Sequence, residues 1–398
     1  MKKILFLGAS KIQLPPIQYA VENGYYVITC DYLPDNPGHQ LANEYHNIST
    51  KDKDAVLRMA REAGIDGVIA YGADSAAPTV AYVAEKLGLP GNPYESVNIL
   101  TRKDLFRKFL KANGFNAPRS NAFDSLEEAK EWLNIIGAPA YVKPVDSSAS
   151  IGNTLLTTTS DLPAAFEHAM NHSSASRVVV EEVIEKSGYQ IDSDIFMEKG
   201  ELKYWLWANA HFDYKCSPPI EIANSYPAIL KKEVGEKARD ELEKILQLLN
   251  CRTGAFNVEF LVDSNDEIWF LEVAPRNGGS RIPELIKYAT NNDMVKAIVD
   301  TAVGLDSQLV HVDSPIGCWS NYTIHSLEDG VLKDIWMSDR LKSKVVEKQI
   351  WSQPGDFVRK SRGGMDDLGE MILKFDDASE MISMLDDMDK DIRVIVDI

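Results

Sequence analysis

The first 92 residues constrain the fold most, because short apolar runs alternate there with amphipathic ones. Runs at 3–7, 26–30 and 67–71 have the length and apolar content of buried strands, and the segments between and after them, 16–23, 54–63 and 76–87, are patterned as helices. Strands separated in this way predict a parallel, doubly wound sheet, since a crossover helix brings the chain back to start a parallel neighbour. Such sheets bind ligands beyond their C-terminal strand ends. Here those ends are Gly8-Ala9-Ser10, Asp31 and Gly72-Ala73-Asp74-Ser75. The glycine turn followed by Asp31 partly matches a dinucleotide fingerprint. After Gly8, however, come Ala9, Ser10, Lys11 and then Pro15 and Pro16, so the glycines that would let the backbone approach a pyrophosphate are missing.

The texture changes after the turn-rich segment 87–93. A helix is expected over 102–112, ended by Asn113-Gly114 and Pro118, and strands over 140–143, 154–157, 177–183, 189–196 and 202–210. A long helix over 231–249 places Val234, Ala238, Leu242, Ile245 and Leu249 on one face. Strands 255–262 and 267–273 flank the turn 263–266 and make a hairpin. The division expected is 1–92, then 93–305 with a lid at about 118–186, then a mixed α/β part over 306–398, whose acidic end reads as a solvated helix plus an edge strand.

Composition narrows the function. With 42 Lys+Arg against 60 Asp+Glu the formal charge is −18, which disfavours a broad phosphate-backbone contact and so a nucleic-acid partner. An anionic ligand would need local cations or a divalent ion working against the overall field. The four cysteines (Cys30, Cys216, Cys251, Cys318) lack metal-ligand spacing and read as reduced thiols. The N-terminal apolar run is too short for a signal-peptide core. No apolar stretch approaches the ~20 residues of a membrane span, so the expected location is the cytoplasm, with no membrane partner.

Three segments carry chemistry. The hairpin holds Asn257-Val-Glu259 on one strand and Glu272-Val-Ala274-Pro-Arg276 on the other. Two carboxylates that meet across a hairpin are costly unless a cation neutralises them, and hard oxygen ligands near phosphate favour Mg²⁺. The same spacing also fits a solvent-facing acidic hairpin. The second segment, Tyr141-Val-Lys143 followed by Ser147, Ser148 and Gly152, offers a strand lysine and a small hydroxyl-rich loop to phosphate oxygens. It is equally a simple strand connection. No GxxxxGK[ST] motif is present. The third, Val178 to Glu185, runs a strand into an extended hinge whose backbone could pair with a purine edge, or is a strand end with solvated acids. His168 and His172 have i,i+4 spacing but neither a neighbouring third ligand nor an HExxH motif, and read as a solvated helix.

Taken in order, these segments resemble the ATP-grasp superfamily of carboxylate–amine ligases, including amino-acid ligases and carbamoyl-phosphate-synthase-like proteins. The resemblance covers essentially the whole chain. It implies an α/β ATP-grasp architecture: an N-terminal parallel-sheet domain of pre-ATP-grasp type, carrying Asp31 to Asn43, and mixed α+β ATP-binding domains entered through Leu87 to Gly91 and Thr101-Arg102-Lys103. By that resemblance Lys103 and Lys143 contact ATP phosphates and the loop with Ser147, Ser148 and Gly152 closes over them. Glu181, Glu182 and Ile184 hold adenine, the latter two largely through backbone groups. Glu259 and Glu272 hold Mg²⁺, and Arg276 faces the γ-phosphate and an acyl phosphate. Two positions depart from the family pattern. Ala274 stands where many relatives have Asn, leaving Asn257 or water to complete the metal shell, and Gln190 stands where a ribose-binding glutamate is common.

The resemblance implies an ATP- and Mg-dependent ligase that joins a carboxylate, an amino acid by preference, to an amine through an acyl phosphate, with release of ADP and phosphate. The run Gln353-Pro-Gly355 to Lys360, with Gly363 to Gly369, is more like the lid region of amino-acid ligases than the short tail of purine enzymes. Two alternatives stay open: a carboxylase-type enzyme acting on bicarbonate or a purine precursor, and a non-catalytic ATP-binding protein. Arg281 could pair with a substrate carboxylate or serve in a surface ion pair. The expected partners are small-molecule carboxylate and amine substrates, with a homodimer left open.

Overall fold

The computed structural model describes residues 1–362 and 366–397. The motif segment Gly363 to Gly369 therefore lies partly outside the described residues, as does Ile398. The parallel sheet is formed as the alternation requires, with strand order Glu44–His46, Tyr26–Cys30, Lys3–Leu7, Gly67–Ile69. Its strands are buried on both faces, by helices Leu14–Glu22, Lys53–Ala63 and Ala77–Leu87 and by the core shared with the rest of the chain. Gly67 marks that packing. A Cβ there would lie 2.4 Å from the carbonyl oxygen of Ala302, so only glycine allows this strand to reach the helix Met294–Ala302.

A second, antiparallel sheet has the order Ser120–Phe123, Val178–Glu182, Ala140–Pro144, Thr154–Leu156, backed by helices Leu126–Ile136 and Leu162–Asn171. The hydroxyl-rich loop leaves this sheet between its last two strands. Gly152 sits in it at φ +76°, and an added Cβ would meet Pro144 at 2.7 Å and His172 at 2.8 Å. His172 is thus packing for that loop, and its Nδ1 lies 2.8 Å from the carbonyl oxygen of His168.

The largest sheet has nine strands. Its main path runs Ile268–Ala274, Gly254–Val262, Gln190–Glu198, Asn209–Asp213, Ile220–Tyr226, Cys318–Ile324, Gly369–Phe375, Val345–Ile350, and Glu201–Tyr204 pairs with the far end of Gln190–Glu198. The helix Lys232–Leu248 packs Val234, Ala238, Leu242 and Ile245 against Phe256, Val258 and Phe260 of this sheet. Each such buried side chain contributes roughly 1.5–3 kcal/mol.

The run expected as one strand over 202–210 is instead two, interrupted at 205–208. There the Trp207 indole turns under the helix and donates to the carbonyl of Gly235 at 3.0 Å. The C-terminal part is more integral than its acidity suggested. Cys318–Ile324 and Gly369–Phe375 extend the central sheet, and the helix Ala378–Asp386 buries Met381, Met384 and Leu385. Its last strand, Ile392–Asp397, is an edge strand as expected, paired with Gly330–Met337. Among the described residues no helix is long and apolar enough to cross a membrane.

Three parts of the fold are tied together by one buried charge. Arg107 lies on the inward face of the helix Lys103–Ala112, between Phe106 and Leu110. It donates to Glu181 at 3.1 Å and to the carbonyl of Leu271 at 2.8 Å, and Lys143 donates to the other Glu181 oxygen at 2.7 Å. Burial pushes the Glu181 carboxyl up, but Arg107 and Lys143 outweigh it and hold it down at about 2. With the folded value below the ordinary 4.5, the ion pairs stabilise the fold fully above pH 4.5, and the contribution is lost as pH falls through about 2. Glu181→Gln should leave Arg107 buried and half-paired, lowering stability by about 3–5 kcal/mol. Urea unfolding at neutral pH measures this, and Glu182→Gln at the half-exposed neighbour should change it by less than about 1 kcal/mol.

Candidate functional site

The hairpin brings its two glutamates into register, with Glu259 opposite Glu272 and Asn257 opposite Ala274. The neighbouring strands add two acids that the sequence did not single out. Asp192 is paired in register with Glu259, and carboxylate oxygens of Asp192, Glu221 and Glu259 all lie within 4.8 Å of one another. Burial raises the Glu259 carboxyl to about 8, helped by Glu272 and then Asp192. Burial likewise raises Asp192, and it raises Glu221 with help from Asp192 and Glu259. Like charges packed this closely in a partly dry site favour protonation or a cation. The donor set is all carboxylate oxygen, which suits a hard divalent ion such as Mg²⁺.

Amides hold the carboxylates apart. Asn257 donates to Asp192 at 2.6 Å and to Asp194 at 3.2 Å, Gln190 donates to Glu259 at 3.0 Å, and Asn224 donates to Glu221 at 2.6 Å. Asp194 also accepts the backbone N–H of Gly278 at 2.7 Å, while its second oxygen is buried without a partner. A Cβ on Gly278 would lie 2.6 Å from Ile282 and 2.9 Å from Asn257, so glycine lets this backbone sit against the acids.

Arg276 stands beside the cluster. Its guanidinium forks onto Asp74 at 2.8 and 2.7 Å, donates to the carbonyl of Asn277 at 2.9 Å, and comes within 4.0 Å of Glu272. Asp74 belongs to the loop after the parallel strand Gly67–Ile69, one of the strand ends flagged by topology. Burial pushes the Asp74 carboxyl up, but Arg276 foremost, then Ser148 and Lys103, hold it below the usual range. Lys103 starts its helix and donates to the carbonyl of Ser147, and the Ser147 hydroxyl donates to that of Ile151 at 2.7 Å. One cleft thus collects Arg276, Lys103, Asp74, Ser147 and Ser148 next to the carboxylates.

The remaining predicted residues are arranged around it. Lys143 is paired with Glu181, so the side chain of Glu181 is taken up by two cations, Arg107 and Lys143. Glu182 pairs with Arg119 at 2.5 Å. Ile184 is half-buried in the segment 183–186, which belongs to no strand. Arg281 takes a positive φ of 63° ahead of the helix Ile282–Thr290 and pairs with Glu347, which also accepts from Tyr288. The pair is half-buried, the Arg281 side chain being 10% exposed and that of Glu347 39%.

A second donor group, Asp213, Cys216 and His325, gathers where the strand Asn209–Asp213 ends. His325 lies 3.0 Å from Asp213. Burial pulls the imidazole down, but the Asp213 and Cys216 contacts raise it to about 9, so an ion pair accounts for this group.

The raised Glu259 carboxyl has a measurable sign. Its folded value of about 8 exceeds the ordinary 4.5, so the folded state binds the proton more tightly. That stability is fully present below 4.5 and lost as pH rises through about 8. Metal-free protein should therefore melt lower at pH 9 than at pH 6, and Glu259→Gln should flatten that slope in thermal scans taken in EDTA.

Residues 109–300 match the family model described as D-ala D-ala ligase C-terminus. The formate-dependent phosphoribosylglycinamide formyltransferase of Burkholderia lata is 31% identical over 290 residues, covering 69% of each chain. Among solved structures, the L-amino acid ligase from Bacillus licheniformis superposes with a TM-score of 0.82 at 19% identity, covering 100% of this chain and 99% of that one. The phosphoribosylglycinamide synthetase from Anaerococcus prevotii gives 0.76 at 22% identity, covering 100% of both. With the sheet order and cleft described above, these likenesses establish that the chain belongs to the ATP-grasp superfamily and is an enzyme of its ligase class.

Proposed function

We propose that the chain uses ATP to activate a carboxylate, by preference that of an amino acid, as an acyl phosphate, and passes the acyl group to an amine with release of ADP and phosphate. The observation that carries this is Arg276, set between the carboxylate cluster and the Lys103–Ser148 side of the cleft. A binding module needs no cation fixed at that junction, whereas phosphoryl transfer depends on positioned charge.

Glu259 and Glu272 would hold Mg²⁺, with Asp192 and Glu221 behind them and Asn257 ordering the set. The ion would supply charge neutralisation on the transferring phosphoryl group. The chain's own residues divide the rest of the work. Lys103 and Lys143 would grip phosphate oxygens as point charges, and the loop with Ser147, Ser148 and Gly152 would cover them with N–H and O–H donors. Glu181, Glu182 and Ile184 would line the adenine end, and Gln190, already bound to Glu259, would reach the ribose. Arg276 presents a planar fork suited to phosphate or carboxylate oxygens. To do so it must exchange part of its Asp74 pair for ligand oxygens.

The name of the Burkholderia relative supports a second reading, in which formate is the acid and a phosphoribosyl amine the acceptor. Formate is itself a carboxylate, so the same residues would serve, and the acceptor separates the two. A phosphoribosyl group brings a phosphate dianion. The cleft continues from Gly278 into a cavity lined by Glu284 and Glu370, with Lys11 and Arg281 as its cations. With Arg281 already paired to Glu347, the two acids outnumber the one remaining cation, Lys11, which favours an amino compound over a phosphate.

Incubation with ATP, Mg²⁺, hydroxylamine and single carboxylates tests the reaction class. An amino-acid hydroxamate with ADP is the expected product, and Arg276→Ala should lower its rate by about 10²–10³. Glu272→Gln should abolish it with the melting curve retained. Formohydroxamate alone would select the second reading, and AMP in place of ADP would exclude the acyl phosphate route.

A further inference from the structure

The cavity beyond Gly278 is built from three distant parts of the chain. Lys11 and Tyr71 come from the parallel-sheet region, Arg281 and Glu284 from the start of the helix Ile282–Thr290, and Trp351 and Glu370 from the C-terminal part. Its charges are unevenly satisfied. Glu370 is only 6% exposed, and among the described residues neither it nor Glu284 forms an ion pair within 4.0 Å. One nitrogen of Arg281, Nη1, is buried without an acceptor, its other arm being held by Glu347. The ammonium of Lys11 rests on the Trp351 ring, 3.7 Å from its centroid. An indole face beside carboxylates is a cation site, and Lys11 is the cation seated on it.

We infer that this cavity is the acceptor site of the ligase and takes an amino compound with a second cationic group, a basic amino acid, whose distal ammonium lies against Glu370 and Glu284 and whose carboxylate meets Arg281. The inference rests on the ligase reading and adds the class of acceptor. With Arg281 held by Glu347, a neutral or acidic acceptor leaves the buried Glu370 and the half-buried Glu284 to share Lys11 as the cavity's one remaining cation, a deficit of positive charge that a cationic acceptor makes good. The surrounding groups agree. Burial raises Glu370 to about 8, with Asp367 and Glu284 acting the same way and Arg281 and Lys11 opposing them, and burial raises Asp367 to about 6. Burial raises Glu284 as well.

Calorimetry on the full chain with Mg²⁺ and a non-hydrolysable ATP analogue would compare L-lysine with L-norleucine, which matches its length but lacks the ammonium. Lysine should bind at least about tenfold more tightly, a factor worth about 1.4 kcal/mol. Glu370→Gln should erase that preference while leaving affinity for the ATP analogue unchanged. If that variant does not fold, Glu284→Gln provides the same reading. Equal affinity for the two ligands, or a preference that survives both substitutions, overturns the inference. Hydroxamate formation needs no acceptor site, so it separates the two claims. Hydroxamate without a lysine preference overturns this inference alone. A lysine preference without hydroxamate from any carboxylate keeps the cation site and removes its role as acceptor site in a ligase.

Discussion

The Glu181 carboxylate, buried between Arg107 and Lys143, is the interaction on which the arrangement of the molecule depends. It joins the four-stranded antiparallel sheet, through Glu181 and Lys143, to the helix Lys103–Ala112, and Arg107 carries the link onward to the backbone of the hairpin at Leu271. The helix in turn begins with Lys103, which holds the Ser147 carbonyl, so the loop over the cleft is referenced to the same point. A buried charge set of this kind contributes less to stability than apolar packing of equal volume would. What it contributes here is placement: three elements far apart in sequence are fixed around one carboxylate.

The cleft shows how a chain of charge −18 can accommodate a polyanion. Its cations are not spread over a surface but held inward, Arg276 on Asp74, Lys143 on Glu181 and Arg281 on Glu347, with Lys103 on the Ser147 carbonyl. The pairs keep the guanidinium and ammonium groups in place without a ligand and limit the cost of their burial. Glu259 and Asp192 form no ion pair among the described residues and are raised by burial instead. Cations already paired and carboxylates left waiting are complementary to a metal-bound anion, which supplies both charges at once.

Much of this was legible along the chain. The parallel sheet followed from the alternation of strands and helices, and the meeting of Glu259 with Glu272 followed from hairpin spacing, because both signals are local. Asp192, Glu221 and Arg107 were not read as parts of the site, since each reaches it through a contact with residues distant in sequence, whereas Asp74 lay at a strand end flagged by topology but without its partner Arg276. Arg107 left a faint mark: an arginine inside the apolar face formed by Phe106 and Leu110 has to find a buried partner. The strand Ile220–Tyr226 was hidden for a related reason. Its inward residues include Glu221, Asn224 and Ser225, so the alternation that betrays a half-buried strand is broken where the strand serves the site.

Asp74 raises a question that the pairing of Arg276 alone does not answer, namely why an anion should occupy the place of a phosphate. Its carboxylate lies at the end of a parallel strand, where ligands of such sheets gather, and its loop is pinned to the cleft by the Gly72 N–H donating to Asn277 at 3.1 Å. Ser148 of the covering loop also bonds Asp74. The three regions therefore meet at one carboxylate whose neighbours are those proposed to handle phosphate. An incoming phosphate group competes with Asp74 for Arg276 and for Ser148 together. Breaking both contacts costs free energy that ligand oxygens restore only if they occupy both positions. A nucleotide placed to reach both would thus be favoured over a smaller anion that reaches one, and Asp74 would act as a selectivity element at the cleft as well as a support for Arg276.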